Sequence, residues 1–574
     1  MLQEFLKERK DRAVWMPELR ERFAHEEGSR PLILRLTLHD GSRRDFACAL
    51  PKGETGPESD LVSAFFFAEV YNILTVCSGR ELRIFCDTGD GELRALFAEL
   101  DEVFQRAKKA RGGFGKVLNI AERIGGGCAF ALSPIEEWQA LPPAEKAARQ
   151  DLAELLRRQA EKADGLCLCG IDVGGSDIKL AASDRGRLVC VKEYDWNPAQ
   201  SSRAEEISGP ILLLTRLMRA CLAAERLGAD EALRETLAAA LEKSAPDALI
   251  QRAVEAAESS FGTEIDLLDG IGLSFPDIVI GDRIVGGETP KTAGMRANPE
   301  TDYETAFAEL GRLKEPLLAL CRTGGRVRLA NDGNMAAYTA AVELTFSGEG
   351  EKMRKGVIAH SLGTDLGTGW LLPDGTIPPL PLELYDSILD LGSMAARSFP
   401  PGDLRSVLNE NSGLAGARRY MGQAAAYRLA WELEPSLLDG FAQERDGLLC
   451  IPTEPQDLRK PCLEHLMRLA ASGEPAAQEI FRRLGTHLAV VSREMQYLLS
   501  PETEERFLFG RFAKDPVCFA LLKEGFDRAG TGLCLRASDE GLACSPLMRQ
   551  LARRKDVTVA QFGQAVGALI FAVS

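Results

Sequence analysis

Gly170-Ile-Asp-Val-Gly-Gly-Ser-Asp-Ile-Lys-Leu180 is the stretch on which the reading of this chain turns. An apolar run, Leu166 to Cys169, leads into it, and Ile178, Leu180 and Ala182 alternate after it. That pattern predicts a strand, a tight turn and a second strand. The turn carries Gly174, Gly175 and Ser176. Glycines let backbone N–H groups approach an anion and the hydroxyl adds a donor, so the turn can act as a phosphate cradle. Asp172, at the end of the first strand, could hold a hydrated Mg²⁺ against those phosphates. A plain Gly-Gly hairpin would use the same residues, so the choice depends on the rest of the chain.

Downstream, Gly186 to Glu193 supplies a third antiparallel strand, and two long helical stretches follow at about 204–226 and 230–259. Gly270-Ile-Gly-Leu-Ser-Phe-Pro276 returns to a strand end. Its Ser274 lacks the second glycine of a nucleophile elbow, and no histidine is placed to complete a triad. After a glycine-rich loop, Gly281 to Gly287, and a helix at about 302–321, Arg326 to Ala330 forms a strand that ends in Asn331-Asp332. An alanine-rich helix, Met335 to Leu344, begins directly after. A carboxylate between a strand end and a helix start sits where open α/β sheets bind ligands. A helix cap is the plainer role for the same Asp332. Gly356 to Ser361 is another strand, and Gly363-Thr-Asp-Leu-Gly-Thr-Gly369 is a second glycine turn. Two such turns with an aspartate between them make sense if two lobes each lend a loop to one cleft. Phosphates would then lie between the loops, with Asp332 facing the acceptor.

Residues 1 to about 160 read as a separate α+β unit. Pro31 to Leu38 and Asp45 to Leu50 form a hairpin across His39-Asp-Gly-Ser42, followed by a helix at Ser59–Val76, a strand at Glu81–Cys86 and a helix at Gly91–Ala110. Gly112-Gly-Phe-Gly-Lys116 lacks the spacing of a nucleotide loop and is expected to be flexible. Pro142 to Ala163 is expected to be a helical linker.

The 574 residues allow roughly three or four domains at about 150 each. A net charge of −16 argues against a nucleic-acid partner, whose binding requires cationic neutralisation of phosphates. The 14 cysteines show no repeated spacing, and the chain starts without a signal-like apolar region, which points to a reducing, cytoplasmic setting. Cys167 and Cys169 share one face of a strand and are expected to pack in a core. No apolar run is expected to span a membrane.

In this order the motifs resemble the ROK family of sugar kinases, over about residues 165–574. Gly170 to Ser176 is similar to its first phosphate motif, Gly270 to Pro276 to the strand before its sugar-side loop, and Asn331-Asp332 to its Asn-Asp pair. Gly363 to Gly369 is similar to the second phosphate motif, Phe507-Leu-Phe-Gly510 to the adenosine motif, and Gln564 to Ala568 to the closing helix. The resemblance implies an α/β, two-lobed actin-like ATPase (ribonuclease H-like) fold with an extra N-terminal α+β module. Each lobe would hold a five-stranded mixed sheet. It implies lobes at 161–350 and 351–574, and residues 394–475, read as a helical insertion, exceed the family's usual length. It also implies ATP-dependent phosphorylation of a sugar hydroxyl, with Asp332 as general base, Asn331 on the sugar and Asp172 on Mg²⁺. Gly174, Gly175, Ser176, Gly363, Thr364, Gly367 and Gly510 would bind the nucleotide, and a homodimer would be in keeping with it. The family's Glu-x-x-His contact and zinc loop are absent: Glu383 stands at about the right place as a sugar contact, with Asp386 three residues on. Alternatives are a non-catalytic sugar sensor, or an ATPase coupled to a partner through residues 1–160. Asp177 is expected to point away from the phosphates, because it alternates with Ser176.

Overall fold

The computed structural model describes residue 9 and residues 12–52, 57–140, 150–287, 289–410, 412–537 and 543–574. Its N-terminal sheet comprises β1 (Arg30–Thr37), β2 (Arg43–Leu50), β3 (Glu81–Cys86) and β4 (Ala129–Pro134), in the order β2-β1-β3-β4. The expected hairpin is present: β1 and β2 are antiparallel, and the Leu38 N–H donates to the Ser42 carbonyl at 2.8 Å. Leu32, Leu34 and Leu36 turn inward on alternate positions, where they meet the apolar side of the helix Pro57–Cys77. Asp90 caps the helix Gly91–Ala110 by accepting from the Glu92 and Leu93 N–H groups at 2.9 and 3.1 Å.

Gly112–Lys116 is not the expected flexible loop. It forms a 3-10 turn, Gly113–Gly115, that runs straight into the helix Lys116–Gly125. Phe114 stacks on Phe104 with ring centroids 5.1 Å apart, and any side chain at Gly115 would collide with the backbone of Ala107 and Lys108. The glycines permit close packing here, and the aromatic anchors it. The first part of the expected linker, residues 142–149, lies outside the described residues, and Leu152–Ala163 is a helix.

The stretch that opened the analysis sits at the middle of a five-stranded sheet. β5 (Cys167–Val173), β6 (Asp177–Asp184) and β7 (Arg187–Asp195) form an antiparallel meander, with β8 (Leu268–Phe275) beside β5. A small hairpin, β9 (Val279–Ile280) and β10 (Arg283–Ile284), precedes β11 (Cys321–Asn331), which lies parallel to β8. The order is β11-β8-β5-β6-β7. Between β7 and β8 the chain forms the helix Ala204–Ala223 and two more, Glu231–Leu241 and Asp247–Phe261, divided where Pro246 interrupts the expected single stretch. The expected helix at 302–321 is likewise two short helices, Tyr303–Leu310 and Lys314–Leu318. The last helix, Val559–Phe571, lies directly on this sheet. Side chains at Gly170 and Gly272 would collide with the carbonyls of Ala565 and Ala568. Gly170 is therefore a packing glycine.

The second sheet is four-stranded among the described residues, where five strands were expected. β12 (Val357–Leu362) and β13 (Leu366–Leu371) form a hairpin, followed by a short hairpin of β14 (Gln443–Arg445) and β15 (Leu448–Cys450). β16 (Glu505–Phe509) and β17 (Cys534–Ala537) then add in parallel, giving β13-β12-β16-β17. The chain after β13 passes through Pro373, Pro378, Pro379 and Pro381, which lack the N–H a further ladder strand would need. It runs instead beneath the N-terminal unit. The insertion at 394–475 holds the helices Gly422–Leu433 and Arg459–Ala471, with the β14–β15 hairpin and irregular chain around them.

The N-terminal unit and the second sheet share one continuous buried core, running from Leu19 and Phe65 to Leu484 and Phe526. Among the described residues two helical stretches, Asp60–Cys77 and Ala204–Gly228, have the length and composition of a membrane span, which the sequence reading missed. In this structure 83 % and 67 % of those windows is buried inside the protein, as core helices of this kind require.

Candidate functional site

The first glycine turn projects from the β5–β6 hairpin. Its ends are fixed by the Gly174 N–H donating to the Asp177 carbonyl at 2.8 Å and by the Trp196 indole donating to the Gly174 carbonyl at 3.0 Å. Gly175 and Ser176 stay exposed. Asp172, at the end of β5, pairs in register with Lys179 on β6 and Ser274 on β8. Its recessed position pushes the carboxyl up to about 6, Asp177 and Asp332 add repulsion, and Lys179 and Ser274 oppose them. Asp177 has a partner that the sequence reading did not name. It lies two residues from Lys179 on the same strand face and forms an ion pair with it.

The second turn, between β12 and β13, is braced from behind. The Gly363 N–H donates to the Asp365 carbonyl at 3.0 Å, and the Gly363 carbonyl accepts from the Gln423 N–H at 3.1 Å. Among the described residues no atom lies within 4 Å of where a Gly363 side chain would begin, and Thr364 is exposed, so this turn too is open on one side. Gly510, at the end of β16 with φ of 101°, lies against the carbonyl of Leu362, where any side chain would collide. Its first duty is thus to let β16 end beside the second turn.

Asp332 opens the helix Asp332–Ser347 directly after β11, and the Asn331 Oδ1 caps that helix by accepting from the Gly333 N–H at 2.9 Å. The Asp332 Oδ1 accepts from the same Gly333 N–H at 2.8 Å, so the cap role foreseen for Asp332 is shared with its neighbour. The Asn331 Nδ2 donates to the Asp277 carbonyl at 2.9 Å, so this amide is engaged in the scaffold at both ends. Gly333 and Gly369 bring the helix start onto β13 so closely that a side chain at either would collide with the other's strand or helix. As a result a Cβ at Gly367 would stand 3.4 Å from the Asp332 Oδ1. On its other side Asp332 faces Lys291, whose Nζ lies 4.0 Å from Oδ2. A Cβ at Gly175 would in turn stand 3.4 Å from the Lys291 Cε. The two turns and the aspartate are thus linked in the line Gly175, Lys291, Asp332, Gly367. Lys291 was missed in the sequence, where only the preceding glycine-rich loop drew notice.

Glu383 lies apart from this line, in a buried polar cluster. It is 5 % exposed and faces Asp277, which is 2 % exposed, with Lys116, Tyr385 and Asp386 around it. Burial and then the Asp277 charge push the Glu383 carboxyl up to about 8, against the pull of Lys116. Burial likewise raises Asp277, although its Oδ1 accepts from the Ile278 and Gly287 N–H groups. Among the described residues the Asp277 Oδ2 and Glu383 Oε2 have no hydrogen-bond partner. Buried polar atoms left unpaired cost about 1–3 kcal/mol each, so a pair facing one another marks a place where a ligand's donors would be welcome.

Among the described residues no group of three or more His, Cys, Asp or Glu side chains could hold a metal ion. Asp172 alone suits Mg²⁺, which binds through one or two carboxylates and takes its other ligands from phosphates and water.

Fold and site together define an α/β protein in which two glycine turns flank one carboxylate. No family model matches the chain, and no curated protein does. Among solved structures it is similar to a ROK family glucokinase from Streptomyces griseus in complex with glucose and AMPPNP. The TM-score is 0.40 at 17 % identity, over 71 % of this chain and 99 % of that one. It is also similar to a ROK hexokinase from Thermus thermophilus, with a TM-score of 0.36 at 16 % identity over 67 % and 98 % of the chains. A glucokinase from Balamuthia mandrillaris in complex with glucose gives 0.38 at 12 % identity, over 70 % and 98 %.

Proposed function

We propose that this protein transfers the γ-phosphoryl group of ATP to a hydroxyl of a sugar or a related polyhydroxy acceptor. The observation that carries the reading is the line Gly175, Lys291, Asp332, Gly367, which sets one half-exposed carboxylate between two open glycine turns. Phosphates lie between the turns, against the Gly175 N–H and the hydroxyls of Ser176 and Thr364, while Gly174, Gly363 and Gly367, without side chains, leave the phosphates room to approach. Asp332 takes the proton from the acceptor hydroxyl as that oxygen bonds to the γ-phosphorus and the bond to the β-phosphate oxygen breaks. Lys291 offsets charge on the transferred group while keeping the base from drifting toward its neighbours. When bound, Mg²⁺ on Asp172 supplies charge neutralisation at the phosphate oxygens. Asn331 acts by fixing the helix start and Asp277, and Asp277 and Glu383 receive the acceptor's other hydroxyls.

ADP release measured across a panel of hexoses and polyols, for the wild type and Asp332→Asn, tests this. Sugar-dependent release that collapses in the variant is the expected result. Release that no sugar accelerates would overturn the acceptor. If release also survives the substitution, the assignment of the base fails, and a partner-coupled ATPase becomes the better account.

A further inference from the structure

We infer that the N-terminal unit is a working part of the acceptor pocket, with Lys116 as the positioning residue through which it sets the pocket's shape. The inference rests on the kinase reading above. Glu383 sits at the start of the turn Leu384–Asp386, and that turn is held from the N-terminal side. The Leu382 N–H donates to the Val76 carbonyl at 3.0 Å. The Asn72 side chain pairs with the Ile388 backbone in both directions, at 2.7 and 2.8 Å. Between these two anchors Lys116, 4 % exposed, forms an ion pair with Asp386, whose other oxygen accepts from the Asn409 Nδ2 at 3.0 Å.

The same helix, Lys116–Gly125, also grips the opposite wall. Ile120 packs with Ile278 and Val285, close to Asp277. Arg123 donates from Nη1 to the Gly286 carbonyl at 2.9 Å and pairs with Glu304 at 2.8 Å. Arg283 donates to the Arg123 carbonyl at 3.1 Å. One helix from the N-terminal unit therefore touches the Glu383 wall at its first residue and the Asp277 wall along its length. The separation of the two carboxyl groups, each with a spare buried oxygen, is set by that helix. An acceptor that offers a hydroxyl to each suits the pair, whereas an anionic group there would meet Asp277.

Steady-state kinetics on the full chain test this, using the most active sugar of the panel and comparing wild type with Lys116→Met. The expected result is an acceptor KM raised about tenfold or more with the ATP KM within about twofold of wild type, the split that marks a loss confined to acceptor binding. Circular dichroism checks that the variant is folded. If it is not, Lys116→Met/Asp386→Asn, which leaves no unpaired buried charge, is read by the same criterion. An unchanged acceptor KM, or equal changes in both KM values, would overturn the inference and leave the kinase reading standing. A wild type that phosphorylates no sugar removes the kinase reading and this inference together.

Discussion

The proposed phosphate end and the proposed acceptor end of the site are assembled in different ways. At the phosphate end each turn is a hairpin whose two strands are neighbours in the chain: β5 with β6, and β12 with β13. Asp332 follows β11 without a gap. At the acceptor end, Asp277, Glu383, Asp386 and Lys116 come from three segments that only the folded chain brings together, one of them in the N-terminal unit. A hairpin carries its own register and turn chemistry, so its geometry is local. A pocket wall made of distant segments depends on every interface behind it.

Removing the base should have the largest effect. Asp332→Asn is expected to lower kcat by about 10²- to 10⁴-fold with KM values little changed, because proton abstraction is needed only as the acceptor attacks. An equal loss from a change at the acceptor end would break the distinction between the two ends. Next comes the seam behind the acceptor end. Arg20 pairs with Glu69 at 2.6 Å and Glu494 at 2.9 Å and lies 3.6 Å over the Tyr497 ring. Burial pushes the Glu69 carboxyl up to about 7, with Arg20 opposing that rise. Arg20→Met would leave two buried carboxylates facing each other and should cost about 3–5 kcal/mol in a urea titration. A loss under about 1 kcal/mol would show that the seam tolerates rearrangement.

The phosphate end should show itself in pH. Asp172, pushed up to about 6, takes a proton as pH falls through that value. The KM for MgATP should therefore rise about tenfold for each unit below 6, through loss of the ionised ligand. Stability should move the other way. An ordinary aspartate titrates near 3.9, so between about 4 and 6 the folded state binds a proton that the unfolded chain does not, and this group's contribution improves as pH falls through 6. A flat KM between pH 5 and 7, read by ADP release, would detach Asp172 from the nucleotide. The smallest effect should be Ser176→Ala, a few-fold rise in the ATP KM for the loss of one exposed hydroxyl donor.

The hairpins, the helix Gly91–Ala110 and the strand end at Asn331 were legible in the sequence because alternation, glycine turns and caps are local signals. The failures share a cause. Gly112–Lys116 reads as a loose glycine run until Phe114 finds Phe104, and Asp177 reads as a misplaced charge until Lys179 is seen on its face. Lys291 carries no pattern at all, and its position between Gly175 and Asp332 is a matter of where the loop after β10 comes to rest. Glu383 could be placed near the acceptor only by resemblance. Its partner Asp277 lay unnoticed one residue beyond the strand-end motif, because a buried unpaired oxygen is a property of surroundings.

By itself the sequence determined the two glycine turns, the aspartate between them and the strands that present them, since each follows from the period of apolar residues and from glycine and asparagine at turns and caps. Tertiary structure decided which residues meet across the cleft. It made Gly170 a packing residue, because the last helix lies on β5. It also joined the first 140 residues to the acceptor end through Lys116 and Arg123. Those contacts span more than a hundred residues of chain and are fixed by shared burial, which no local pattern encodes.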